Sequence, residues 1–384
     1  MEIINRFFQG TKQSFFLFGP RGTGKSTWIK QHFKNALYLD LLAPEVFRLY
    51  SAKPERLRDV VAANPSADTI VIDEIQKLPV LLDVVHQLME AHRDRRFVLT
   101  GSSARKLKRS GVDLLAGRAV NKTMHPFMAA ELGDAFSLED ALTMGLVPLV
   151  AAAVSPQEAI NAYAALYLKE EVQIEGLVRN IGTFSRFLES ASFSHGAVLN
   201  IADVARDCQV GRKTAEGYFS ILEDLLLAFR IPVFTKRAKR NLSSHPKFYY
   251  FDAGVFRSIR PAGPLDAPQE IDGAALEGLV AQHLRAWSAY SGDPCQLCFW
   301  RTKSGNEVDF VIYGKDTFLA IEVKNTARLQ SKMVNGLLAF QEDYPAAQAC
   351  LLYRGPERIK IKKILCLPCE EFLMNLVPRH PLRL

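Results

Sequence analysis

Gly19 to Ser26 read GPRGTGKS, a run in which three glycines precede a lysine and a hydroxyl residue. Glycines at this spacing let backbone N–H groups turn inward around phosphate oxygens, and the helix expected to open at Lys25 adds its dipole. The run matches the phosphate-loop pattern in full, and it follows an apolar strand, the context that pattern requires. It predicts a nucleoside-triphosphate site formed by Gly19, Pro20, Arg21, Gly22, Thr23, Gly24, Lys25, Ser26 and Thr27. ATP with Mg²⁺ is the expected occupant. Lys25 faces the β- and γ-phosphates and Ser26 offers a hydroxyl to the metal.

TIVIDEI (69–75) supplies two carboxylates at the end of an apolar strand. Asp73 suits the Mg²⁺ shell, and Glu74 is placed to take a proton from an attacking water, the work of a general base. RFVLTGSS (96–103) suits a neighbouring strand whose Thr100 and Ser102 sense the γ-phosphate. Arg105 and Arg118 are candidates for charge stabilisation, in the same chain or from a neighbouring subunit; a surface ion pair is the competing reading.

A second set of polar residues lies late in the chain. In FLAIEVKN (318–325), Leu319, Ile321 and Val323 alternate with Glu322 and Lys324. Period two therefore places Glu322 and Lys324 on one face. Asp309 sits on the preceding strand, EVDFVIY (307–313), where Val308, Phe310 and Ile312 are expected to point the other way. Glu277, on the helix before, can join them. A half-solvated hairpin has the same pattern, so both readings stand at the level of residues.

The middle of the chain offers basic residues. LNIADVARDCQVGRKTAEGYFSILEDLLLAF (199–229) reads as helix, turn at Val210-Gly211, and second helix. Arg212 and Lys213 open the second helix, and Lys236, Arg237, Lys239 and Arg240 follow on a loop. These six are the candidate DNA contacts. Packing or protein contact is the alternative use of such a segment. Cys295/Cys298 and Cys366/Cys369 form two CxxC pairs, which suit zinc, an iron–sulfur cluster or simple burial as small apolar groups.

The surrounding elements fit an α/β protein. Short apolar strands at 14–19, 35–42, 69–75 and 96–102 alternate with helical stretches at 44–63 and 78–93, the pattern of a parallel sheet covered on both faces. Residues 138–193 turn mainly helical. A Pro/Gly-rich stretch, 260–273, reads as a linker before a helix (274–290), three strands (296–301, 307–313, 318–324), a helix (331–342) and a strand near 348–353. The 384 residues thus divide into an expected P-loop core (1–133), helical connector (134–190), helix-turn-helix segment (191–265) and small α/β domain (270–384). Net charge is +7, which permits a nucleic-acid partner. The absence of a signal-like leader and of a long apolar run predicts a cytoplasmic protein with no membrane partner.

Taken in order, GPRGTGKS, VIDEIQKLP, VLTGSSARKL and LLAGR resemble the motifs of a bacterial and archaeal family of AAA-type ATPases. In that family a winged-helix segment and a nuclease-like domain of uncertain function follow the core. The resemblance covers nearly the whole chain. It implies ATP hydrolysis, a homo-oligomer with nucleotide between subunits, and action on or near DNA. The late Glu…Asp…Glu-x-Lys pattern resembles the PD-(D/E)XK nucleases. By that resemblance Asp309 and Glu322 are Mg²⁺ ligands, Glu277 an accessory ligand and Lys324 the catalytic lysine.

Overall fold

The computed structural model describes residues 4–102, 115–167, 172, 180–264, 266–292 and 295–382. The chain forms two compact units. One is Phe8–His125 with Asp224–Leu226; the other comprises Met1–Phe7, Pro126–Glu223 and Leu227–Leu384.

The first unit is built on five parallel strands, β1 (Phe15–Phe18), β2 (Leu37–Asp40), β3 (Thr69–Asp73), β4 (Arg96–Gly101) and β5 (Val120–Thr123), in the order β2-β3-β4-β1-β5. β1 and β3 are buried throughout, as the apolar run FFLF and the Ile70–Ile72 centre of β3 require. β5, sequence VNKT, is only half-buried and polar, so its sequence carries no strand signal. The helical stretch expected at 44–63 is two helices, Pro44–Ala52 and Arg56–Ala63. Pro54 breaks it, because proline drives the preceding residue out of helical backbone, and Lys53 is found at φ −146°. Phe16, Ile70, Ile72, Leu82, Val85 and Leu99 form the heart of one core.

The second unit includes the short helices Ala129–Leu132, Leu138–Met144, Pro148–Ala151 and Pro156–Ala162. It continues as a helix (Ile181–Ser192), β6 (Ala197–Val198), two helices (Ile201–Asp207 and Arg212–Asp224), β7 (Ala228–Ile231) and β8 (Lys247–Tyr250). These three strands make an antiparallel sheet ordered β6-β8-β7. The expected linker is shorter than the sequence suggests. Pro268 occupies the first helical turn, where its missing N–H costs nothing, and the helix runs Pro268–Ser291.

That helix leads to a six-stranded mixed sheet, ordered β13-β14-β12-β11-β10-β9. Its strands are β9 (Gln296–Arg301), β10 (Glu307–Tyr313), β11 (Phe318–Lys324), β12 (Gln348–Tyr353), β13 (Ile359–Ile361) and β14 (Ile364–Pro368). Trp300, Val308, Val311, Ala320, Leu337, Phe340 and Leu351 pack as a second core. Among the described residues no helix is long and apolar enough to cross a membrane.

Candidate functional site

The strand order decides the geometry of the first site. β4 lies between β1 and β3, so Thr100 and Ser102 arrive between the glycine loop and the two acids, at the carboxyl ends of the strands where such sheets bind ligands. Gly24 takes φ 90°, a left-handed conformation natural to glycine, and hands the loop to the helix Lys25–His32. Gly19 has no room for a side chain: a Cβ there would lie 2.5 Å from the Met124 carbonyl oxygen.

Asp73 is the hub. Its Oδ2 accepts the Ser26 hydroxyl at 2.8 Å, and its Oδ1 accepts the Thr100 hydroxyl. Thr100 Oγ1 also accepts the backbone N–H of Glu74 at 3.0 Å. Thr100 is fully buried and Asp73 nearly so. Lys25 Nζ donates to the carbonyls of Gly19 at 2.7 Å and Pro20 at 3.2 Å, curled over its own loop. Glu74 sits at φ 60°, a conformation that costs a non-glycine residue of order 1–3 kcal/mol and concentrates at functional positions.

Two residues of this site were not singled out in the sequence. Gln76 Nε2 donates to Glu74 Oε2 at 2.5 Å and to Ser102 Oγ at 3.2 Å, tying the acid to the end of β4. Tyr38 donates its hydroxyl to Asp73 Oδ2. Burial, then the Asp73 carboxylate, push the Tyr38 phenol far above its ordinary range, so it remains a donor. The signal for Gln76 was proximity in sequence; the signal for Tyr38 is the β2–β3 register, which sets Asp40 beside Asp73. Arg118 pairs with Glu90 at 2.5 Å on an exposed surface. Arg105 lies outside the described residues.

The late acids also come together, in the second unit. Lys324 Nζ donates to Glu322 Oε1 at 2.5 Å, as period two requires. The facing of β10 is different from the expectation. The β9–β10 register shifts between Val308 and Val311, and both valines enter the same core while Phe310 packs near Tyr249. An irregularity of this kind breaks strict alternation, so Phe310 does not share a face with Val308. Asp309 Oδ2 accepts the Val323 N–H at 2.9 Å.

The residue that the sequence did not point to is Lys247, on β8. Its Nζ lies 3.0 Å from Glu277 Oε1, 2.5 Å from Glu307 Oε1 and 2.9 Å from Asp309 Oδ1. Tyr249 donates its hydroxyl to Glu277 Oε1 at 2.6 Å. Burial, reinforced by the charge of Asp309, pushes both Glu277 and Glu322 above the ordinary carboxylate range. Burial works against both Asp309 and Lys247, but their mutual attraction prevails: Asp309 stays below the ordinary carboxylate range and Lys247 well above the ordinary lysine range. A divalent ion fits this arrangement poorly. An ammonium already sits among three of the acids, and among the described residues no group of three or more His, Cys, Asp or Glu side chains is arranged to hold a metal.

The basic candidates divide. Arg212 and Lys213 are exposed at the start of their helix, as are Lys236, Arg237 and Lys239 on the β7–β8 loop. Arg240 is half-buried and paired, with Nε 3.1 Å from Asp343 Oδ1 and Nη2 2.9 Å from Glu342 Oε2. Lys236 Nζ stands 4.1 Å from the centre of the Tyr313 ring. The loop itself is pinned to the edge strand β9: Phe234 N–H donates to Phe299 O at 2.7 Å, and Ser243 N–H to Arg301 O at 2.9 Å. Cys298, Cys366 and Cys369 are buried free thiols, and Cys298 and Cys366 belong to the second core.

Residues 11–133 match the family described as an AAA domain. Residues 135–266 and 272–372 match two families, each described as a domain of unknown function (DUF8612 and DUF4143). Uncharacterized proteins of Mycobacterium tuberculosis (Rv2008c) and Mycobacterium bovis (Mb2031c) are each 26% identical over 368 residues, spanning 93% of this chain and 80% of theirs. Among solved structures, the replication initiator DnaA bound to AMPPCP and single-stranded DNA aligns over 55% of this chain and 82% of its own, at 9% identity and a TM-score of 0.26. Protein VC1899 from Vibrio cholerae aligns over 80% and 89%, at 10% identity and a TM-score of 0.21. Such scores are too low to indicate a shared fold. With its phosphate loop, its five parallel strands and the match over residues 11–133, the N-terminal region is an AAA-type P-loop domain.

Proposed function

We propose that this protein binds ATP with Mg²⁺ and hydrolyses it in its first unit. The observation that carries the reading is Asp73, whose carboxylate gathers the hydroxyls of Ser26 and Thr100 immediately before Glu74. Ser26 and Asp73 would hold the metal, which supplies positive charge against the phosphate oxygens. Lys25 binds the β- and γ-phosphates. Glu74 accepts a proton from water as the water oxygen attacks the γ-phosphorus; the bond to the β-phosphate oxygen breaks and ADP leaves. Gln76 and Ser102 orient Glu74. ATP turnover tests the assignment. Lys25→Ala is expected to abolish nucleotide binding, and Glu74→Gln to bind ATP while losing turnover by roughly 10²- to 10⁴-fold. Wild-type rates in both variants would refute it.

We read the second unit as a winged-helix segment joined to a nuclease-like fold. The order helix, strand, helix, helix, strand, strand over 181–250 supports the first. The convergence of Glu277, Asp309, Glu322 and Lys324 supports the second. DNA contact is favoured by the exposure of Arg212 and Lys213 at the start of the second helix of the pair. Affinity for duplex or single-stranded DNA that falls steeply with salt would support this reading. No binding at low salt would favour a nucleotide switch that acts on protein partners. A homo-oligomer, with Arg105 or Arg118 reaching a neighbour's nucleotide, is checked by light scattering with and without a non-hydrolysable ATP analogue.

A further inference from the structure

Lys247 belongs to β8 of the three-stranded sheet, yet its ammonium ends among acids of the long helix and of β10. The side chain is 2% exposed. A lysine so deeply buried needs partners for its charge, and here it has three carboxylates within 3.0 Å. The arrangement engages several of the oxygens that a metal would need. Asp309 gives Oδ1 to Lys247 and Oδ2 to the Val323 N–H. Glu277 Oε1 takes both Lys247 and the Tyr249 hydroxyl. Glu322 Oε1 takes Lys324, while Glu322 Oε2 is buried without a hydrogen-bond partner. Mg²⁺ needs near-ideal octahedral geometry and room for several waters, and here the Lys247 ammonium occupies the space between Glu277 and Asp309.

We propose that Lys247 is the resident cation of this acidic cluster, standing between Glu277 and Asp309 where a divalent ion would otherwise bridge them. The cluster therefore already holds two ammonium groups, Lys247 and Lys324, without metal. A dication entering it would meet a buried ammonium at contact distance, and Asp309 would have to share an oxygen that already accepts a hydrogen bond. The second unit then keeps the acids and lysine of a nuclease-like fold while lacking the metal-activated water that phosphodiester cleavage requires. What the cluster does instead is mechanical: it ties β8 of the small sheet to β10 of the large one through a single desolvated charge. This inference stands apart from the ATP reading, since none of its residues lies in the first unit.

The experiment is Mn²⁺ uptake by the full chain, followed by electron paramagnetic resonance titration, together with melting temperature. Any Mn²⁺ taken at the nucleotide site is common to all variants compared. Wild type and Asp309→Asn are expected to bind the same number of Mn²⁺ ions. Lys247→Ala, which removes the ammonium between Glu277 and Asp309 and opens space, is expected to melt lower in metal-free buffer, to gain one Mn²⁺ and to recover part of the lost melting temperature with it. An Mn²⁺ ion bound by wild type and lost in Asp309→Asn would overturn the proposal. So would a folded Lys247→Ala that gains none. If Lys247→Ala does not fold, the comparison of wild type with Asp309→Asn decides alone.

Discussion

Gln76 donates its side-chain N–H to Glu74 Oε2 at 2.5 Å and reaches Ser102 Oγ with the same nitrogen. The general base of the proposed hydrolysis is thus held at its side chain by Gln76 and at its backbone by Thr100. Glu74 has no freedom to find its position otherwise, because its φ of 60° already places it in an unfavourable well that the surroundings must enforce.

Gln76→Ala is expected to lower the turnover number about tenfold while ATP affinity stays within about twofold, because orientation of a base acts on the chemical step. Single-turnover rates set beside fluorescent-nucleotide binding separate the two. Equal losses in both would show that Gln76 serves the fold of the loop and has no part in the chemistry.

Thr100→Val keeps the shape of a fully buried side chain but removes the hydroxyl shared by Asp73 and the Glu74 N–H. Leaving buried groups unpaired costs about 1–3 kcal/mol. Denaturant unfolding should register that loss, and turnover should fall with it. An unchanged unfolding midpoint would show that water replaces the hydroxyl.

His283 is expected to make stability acid-sensitive. Its Nε2 accepts the Ala129 N–H at 2.9 Å, its Nδ1 lies 2.7 Å from the Leu279 carbonyl, and burial lowers it to about 4. The folded ring is neutral where the unfolded ring, at its ordinary 6.5, takes a proton. The contribution is therefore complete above pH 6.5 and lost as pH falls toward 4, amounting to about 3 kcal/mol. The stability difference between wild type and His283→Gln should shrink by that amount across the window. A difference independent of pH would contradict the assignment.

The basic residues should separate by variant. Arg212→Ala and Lys213→Ala are expected to weaken DNA binding and each to reduce the salt slope by about 1, since both side chains face solvent. Arg240→Ala should leave DNA affinity unchanged and lower stability, because its guanidinium is held by Glu342 and Asp343. The reverse pattern would mean that the β7–β8 loop, and not the helix, carries the contact.

Much of the first site is legible in sequence because its parts are local. Gly19 to Ser26 lie within a single strand–loop–helix turn, and Asp73 and Glu74 end one apolar strand, so spacing alone points to them as candidates. Glu322 and Lys324 are legible for the same reason, being two residues apart on β11. Two other features could not be read that way. Tyr38 reaches Asp73 only because β2 pairs with β3 in a register that the sequence does not state. The shift at Val308 and Val311 depends on how β9 lies against β10.

The residue types and short spacings of this chain, by themselves, determined a phosphate loop, its two partner acids and a late pair of carboxylates on neighbouring strands. Only the tertiary structure decided what stands among those late acids. Lys247 is 30 residues from Glu277 and 62 from Asp309, and it reads in sequence as an ordinary basic residue at the start of a strand. A buried charge must find opposite charges wherever the fold brings them, and that encounter is set by the packing of two sheets, which no local pattern encodes.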